Sequence, residues 1–293
     1  MTTTSNNNLS PLPFYTNIVE QNHRLSYAYG QVYPLYGSTS FLLPFQITRS
    51  HSANQIASVE VYAKDGALVT NLTTAMVNAG LSIVRYNTSD YDIDIIVFPA
   101  SFAMSTNLEE GMYYLKISDG ANTWYSDILT LVNDVTPYLC IEWYDVDDLE
   151  FDAGIICYSQ QNYRNRLYFS TELGKPEYTF EEEGESRDGY FFAEKQLSSK
   201  TYKAQVLAPE YLVDAMRLIR LSDIVKVRDK FGRIYECDTF LITPQWQTQG
   251  DLASVEIEFT TSTVVKKIGK GYLIQDDGSF NDDYNDDYDN EET

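Results

Sequence analysis

The chain has 293 residues, 43 of them Asp or Glu and 21 Lys or Arg, for a net charge of −22. At 43% hydrophobic residues it can bury a core, while that charge argues against gripping a phosphate backbone. No apolar run approaches the roughly 20 residues of a spanning helix, and MTTTSNNNLSPLPF lacks the basic and apolar regions of a secretory signal. Cys140, Cys157 and Cys237 form no CxxC, which points to a reducing compartment. With only His23 and His51, most histidine chemistry is excluded.

Residues 1–36 read as an N-terminal arm. A polar TTTSNNN run is followed by Pro11, Pro13 and Pro34 and by scattered aromatics suited to docking on another surface. Over 37–136 short β-prone runs alternate with turns. Asp65-Gly66 between Val59–Ala63 and Ala67–Val69 predicts a hairpin with a type I′ turn. Asp119-Gly120 predicts a second, between Met112–Ile117 and Trp124–Leu131, and Asn71–Gly80 suits one short helix.

Leu108, Gly111 and Tyr113 before Tyr114–Ile117, then Asp119-Gly120 and Tyr125-Ser126, resemble the last two strands of an immunoglobulin or fibronectin type III domain. The resemblance implies a β-sandwich and no particular function. The missing Cys…Trp…Cys pattern separates it from antibody domains.

Pro137 marks a boundary, and 137–271 reads as a second β-domain. Its strands are Leu139–Val146, Gly154–Ser159, Arg166–Ser170 and Thr201–Leu207. The charged stretch Tyr178–Gly189 is expected to be a loop. Pro209 and the apolar spacing of Tyr211, Leu212, Ala215, Leu218 and Ile219 predict a helix near 209–221. Strands over Ile224–Arg228 and Arg233–Thr243, a turn at Asp229–Gly232 and a hairpin at Gln249–Asp251 complete it. Residues 272–293 are an acidic tail expected to be disordered, since Asp276–Thr293 holds nine acids and no Lys or Arg.

The run Ser186-Arg187-Asp188-Gly189 before Tyr202–Leu207, the helix entering Leu221-Ser222-Asp223, and Val255–Phe259 after Tyr235–Thr243 resemble distal tail and baseplate proteins of tailed bacteriophages. The resemblance implies a homo-oligomeric ring docked to other tail or baseplate proteins in the virion. It implies no enzyme, cofactor or nucleic acid. The expected fold is therefore mainly β: an immunoglobulin-like sandwich followed by a distal-tail-like domain with one short helix.

The candidate interface joins the acidic run Glu181, Glu182 and Glu183 to the basic stretch Arg217, Arg220, Lys226, Arg228, Lys230 and Arg233 of a neighbouring copy. Tyr284 and Tyr288 would anchor the tail to a basic partner. Asp145, Asp147, Asp148, Glu150 and Asp152 suit a solvated loop better than a calcium site. Trp124, Trp143 and Trp246 suit half-buried sheet positions better than a sugar platform; such a platform would suit the alternative reading, a secreted or cell-surface carbohydrate-binding module or adhesin. No GxSxG, GxGxxG or P-loop supports catalysis or nucleotide binding.

Overall fold

The computed structural model describes residues 11–15, 35–50, 54–87, 91–96, 98, 108–146, 164–246 and 252–267. These form a mainly-β chain with short helices at Leu72–Asn78 (α1) and Glu210–Met216 (α2) and a 3-10 turn at Ile219–Leu221.

The first half is a two-layer arrangement. One layer contains β4 (Ser58–Ala63), β5 (Leu68–Asn71), β8 (Gly111–Ser118), β9 (Thr123–Ser126) and β10 (Leu129–Val132). The other contains β3 (Phe45–Ser50), β6 (Val84–Asn87) and β7 (Tyr91–Ile96). Apolar residues alternate inward, so Val59, Val61, Ile117, Phe45 and Ile47 are all nearly inaccessible. Asn71 caps α1 by accepting the Thr74 N–H at 3.1 Å, and α1 buries Leu72 and Met76.

Part of the arm docks on this body. In β1 (Phe14–Tyr15), Phe14 pairs with Ser126, and its ring meets Phe45 of the opposite layer at 4.7 Å between centroids. Leu12 is fully buried beside it. The single strand expected over Trp124–Leu131 is interrupted at Asp127-Ile128. There the Ser126 hydroxyl accepts the Leu115 N–H at 2.8 Å, replacing the missing ladder bond. Tyr113 Oη donates to the Glu109 carbonyl at 3.0 Å, a tyrosine corner at the entry to β8.

Asp65-Gly66 does form a hairpin, but not through a type I′ turn. Only Gly66 has positive φ, at 89°. The Gly66 N–H bonds to Ala63 O and the Ala63 N–H to Ala67 O, each at 2.8 Å. That is a type I turn closed by a left-handed glycine bulge.

The main sheet crosses the boundary expected at 137. Strand β2 (Leu35–Ser38) runs parallel to β10 and touches β12 (Asn165–Phe169) at Tyr36–Tyr168. From β12 the sheet continues through β11 (Leu139–Tyr144), β15 (Ile224–Arg228) and β16 (Ile234–Glu236). The strand expected over Arg233–Thr243 is split between β16 and β17 (Thr239–Trp246).

A second sheet has the order β13 (Glu177–Arg187), β14 (Tyr190–Pro209), β18 (Leu252–Lys267), β17. Here the largest correction falls: Tyr178–Gly189 is no loop, because Glu177–Arg187 pairs along its length with Tyr190–Thr201. Its turn is the type I′ one, with Asp188 at φ 50° and Gly189 at φ 82°. Near the body this sheet buries Tyr202, Ala204, Val206, Val255, Ile257, Phe259 and Phe240. They share a core with Ile141, Trp143, Leu167, Val225 and Val227 and with Leu212 and Met216 of α2. Beyond Tyr202 the sheet continues as a blade of three strands, because β17 pairs with β18 only as far as Thr260, and then of two beyond the Lys195–Lys267 pair.

The expected strand Gly154–Ser159, His23, His51, the turn at Gln249–Asp251 and the tail lie outside the described residues.

Candidate interaction surfaces

The blade carries the first surface. Glu181, Glu182 and Glu183 are exposed on β13. Glu183 accepts from Lys195 Nζ at 3.1 Å, and Glu182 accepts from Gln196 Nε2 at 2.6 Å. Cross-strand pairing of this kind holds the acidic run in a strand rather than a loop. Five of the eleven residues of β13 are Glu, and its outer edge has no strand partner among the described residues. The opposite blade edge, β18 beyond Thr260, ends in Lys266-Lys267.

Most of the predicted basic stretch is engaged within the chain. Arg217 follows α2 and lies 3.9 Å from Asp214, while Arg220 is exposed on the 3-10 turn. Lys230 pairs with Glu172. Arg233 pairs with Asp229 at 2.7 Å. Lys226 and Arg228 alternate with the buried Val225 and Val227 and so occupy the other face of the sheet. Lys226 lies over Tyr144, its Nζ 5.8 Å from the ring centroid. Arg228 Nη2 donates to the Val135 carbonyl at 3.5 Å.

On that same face Glu142 accepts from both Arg166 and Arg164, and Arg166 stacks over Phe41 at 4.5 Å. Burial among these groups pushes the Cys140 thiol up to about 11 and the Tyr168 phenol up to about 12.

Sequence reasoning missed a continuous ladder of rings and cations at the blade's root. Lys200 Nζ lies 5.8 Å from the centroid of Tyr178 and 5.2 Å from that of Tyr202. Tyr202 touches Tyr235 at 4.8 Å. Arg233 stacks over Tyr235 at 5.9 Å and over Phe231 at 5.2 Å, and Lys230 lies 5.2 Å from Phe231. The alternation Tyr178, Thr179, Phe180 was the available signal, hidden by the glutamates that follow.

Asp229 braces this ladder from beneath. It is 3% exposed and accepts the Phe231 and Arg233 N–H groups at 2.9 and 3.0 Å and the Tyr235 hydroxyl at 3.2 Å. Burial works to raise its pKa, but the hydrogen bonds and charge of Arg233 outweigh it and hold the carboxyl below the usual range.

Of the acidic cluster, Asp145 is described and Asp147, Asp148, Glu150 and Asp152 are not. Asp145 accepts the Asp223 N–H at 3.0 Å, and Asp223 accepts the Val146 N–H at 3.0 Å. Asp145 thus ties two loops together, and burial raises its pKa. No group of three or more His, Cys, Asp or Glu is arranged to hold a metal among the described residues. Trp124 and Trp143 are 4% and 3% exposed, so with Trp246 they form no open platform.

A cleft of about 600 Å³ opens between β2, β12, β14 and α2, lined by residues including Tyr36, Tyr168, Tyr211, Gln205 and Ser254. None of the described residues that line it is charged. No described helix is long and apolar enough to cross a membrane.

These features define a mainly-β chain with a projecting β-blade whose open edges differ in charge. No protein-family model, curated protein or solved structure matches the chain.

Proposed function

We propose that the protein is a self-assembling structural subunit, a tail or baseplate ring component of a tailed-phage virion, which acts by oligomerising and docking to other virion proteins. The observation that carries the assembly reading is the pair of open blade edges, acidic along β13 and basic at the end of β18. An unpaired strand edge is a template for another strand. An acidic edge meeting a different, basic edge on the next copy makes a head-to-tail contact, which closes into a ring when the rotation permits. The virion assignment rests on the sequence resemblance described above.

The assembly test is mass photometry at low salt. Glu181→Lys with Glu183→Lys should abolish rings, and so should Lys266→Glu with Lys267→Glu; mixing the two variants should restore association. A wild-type chain that stays monomeric, or reversals without effect, would refute it. Mass spectrometry of purified phage particles tests the virion assignment; its absence from them would refute that.

A second reading, a carbohydrate-binding module, is favoured by the uncharged, tyrosine-lined cleft. Glycan-array binding lost in Tyr168→Ala and Tyr211→Ala variants would support it.

A further inference from the structure

The face of the blade that is core at Tyr202 turns outward one step further along. Tyr178 and Lys200 are directly opposed there, and Phe180 opposes Ser198, which opposes Val264. Directly opposed residues share a face, so Tyr178, Phe180, Lys200 and Val264 form one surface. Tyr178 is 72%, Phe180 64% and Val264 65% exposed, as is Phe231, at 72%, at the far end of the ladder that runs through Lys200, Tyr202, Tyr235 and Arg233. Four large apolar side chains this open, interleaved with Lys200, Lys230 and Arg233, make an unusual patch on a chain of net charge −22. Asp229 and Glu172, each through one cation of the ladder, and Glu182, on the same face two residues beyond Phe180, offset part of its charge.

One segment of the same chain has the complementary chemistry. Asp276–Thr293 carries nine acids, no Lys or Arg, and the aromatics Phe280, Tyr284 and Tyr288. It is also within reach. Thr261 opposes Lys200 and Lys267 opposes Lys195, so the described end of β18 lies six residues, roughly 20 Å, beyond the level of Lys200. The eight residues 268–275 that separate Lys267 from Asp276 can span up to roughly 26 Å.

We infer that the acidic C-terminal segment, residues 276–293, docks on the cation–aromatic face of its own blade. Its carboxylates meet Lys200, Lys230 and Arg233, and Tyr284 and Tyr288 lie against Tyr178, Phe180 and Phe231. This surface is a face and not an edge, so the inference goes beyond the assembly reading and does not depend on it.

The test is carbodiimide coupling of the full chain, taken from its monomer fraction as a mixture of isotope-labelled and unlabelled molecules and followed by mass spectrometry. A tethered but undocked tail would couple first to Lys195 and Lys266, which lie nearer the point where it leaves the strand. Docking predicts at least threefold more coupling of Asp282, Asp283, Asp286 or Asp287 to Lys200 and Lys230 than to Lys195 or Lys266. These products should carry a single isotope label and fade at about 0.5 M salt. Tyr284→Ala with Tyr288→Ala, outside the described fold, should remove the preference. Even coupling, a preference for Lys195 and Lys266, mixed-label products, no tail products, or indifference to the tyrosine substitutions would each overturn the inference.

Discussion

Asp229 offers the sharpest test of how the ladder is held. Asp229→Ala removes the acceptor for two backbone N–H groups at 2.9 and 3.0 Å, the Tyr235 hydroxyl at 3.2 Å and the Arg233 guanidinium at 2.7 Å. The Arg233 side chain is 62% exposed, so that ion pair contributes no more than about 1 kcal/mol. The two N–H groups bond to a charged acceptor inside the turn, but water can reach this hairpin tip once the carboxylate is gone. Together the losses come to about 2–3 kcal/mol. At about 2–4 °C per kcal/mol for a chain of this size, the melting temperature should fall by roughly 5–10 °C. Asp229→Asn keeps an acceptor and should lose about half as much.

The pH dependence has a definite sign. The folded carboxyl titrates below its unfolded value of about 3.9, so its contribution is complete above that pH and disappears as the pH falls through the folded value. The gap in melting temperature between wild type and Asp229→Ala, read by scanning calorimetry, should be constant from pH 7 to pH 5 and should narrow below about pH 4. A loss under about 0.5 kcal/mol at pH 7, or a gap that persists unchanged at pH 3, would refute the account.

Phe45 is fully buried between the two layers, so Phe45→Ala should cost about 3–5 kcal/mol by denaturant titration. Arg85 donates to both oxygens of the fully buried Asp94, at 2.7 and 3.1 Å. Arg85→Leu should therefore destabilise by about 3–5 kcal/mol in the same titration, and Arg85→Leu with Asp94→Leu by clearly less. Gly189→Val places a β-branched residue at φ 82°, so the blade should fray and lose amide protection from exchange at Glu185–Phe192 while the sandwich stays protected. Burial raises the thiols of Cys140 and Cys237, the former to about 11. No more than one of the three thiols should therefore react with a disulfide reagent at pH 8 before denaturation, and all three after it.

Local chemistry made much of the fold legible. Asp65-Gly66 and Asp119-Gly120 marked hairpins because glycine accepts positive φ, whereas Asp188-Gly189, read as the end of a loop, closes a hairpin with a turn of a different type from that at Asp65-Gly66. Pro209 and the apolar stripe located α2, which buries Leu212, Ala215 and Met216 but ends at Met216, short of the expected 221; Ile219 is buried in the 3-10 turn that follows. What stayed hidden depends on partners distant in sequence. Repulsion among Glu181, Glu182 and Glu183 argues for a loop until Lys195 and Gln196 are seen opposite them. The link between halves runs through β2, held to β10 by four parallel pairs and meeting β12 at Tyr36–Tyr168, and no local pattern announces such a crossing. The ladder draws Tyr178, Lys200 and Arg233 from three separate strands or turns, so no window of sequence contains it.

The charge difference between the blade edges also bears on which assemblies the proposed reading permits. Two β13 edges placed side by side would oppose five glutamates with five, and two β18 ends would oppose Lys266-Lys267 with its own copy. Both symmetric pairings are penalised by like charges directly opposite one another, whereas the unlike pairing is favoured. In the proposed assembly the blade's chemistry would therefore disfavour a two-fold dimer through either edge and favour a heterologous contact. Such a contact uses both edges of every copy only when it closes; an open chain leaves one acidic and one basic edge unpaired at its ends and continues to grow. At low salt the proposed assembly should pass from monomer to a single closed size with few dimers. A stable two-fold dimer joined through β13 would contradict the edge argument even if the protein proved to be oligomeric.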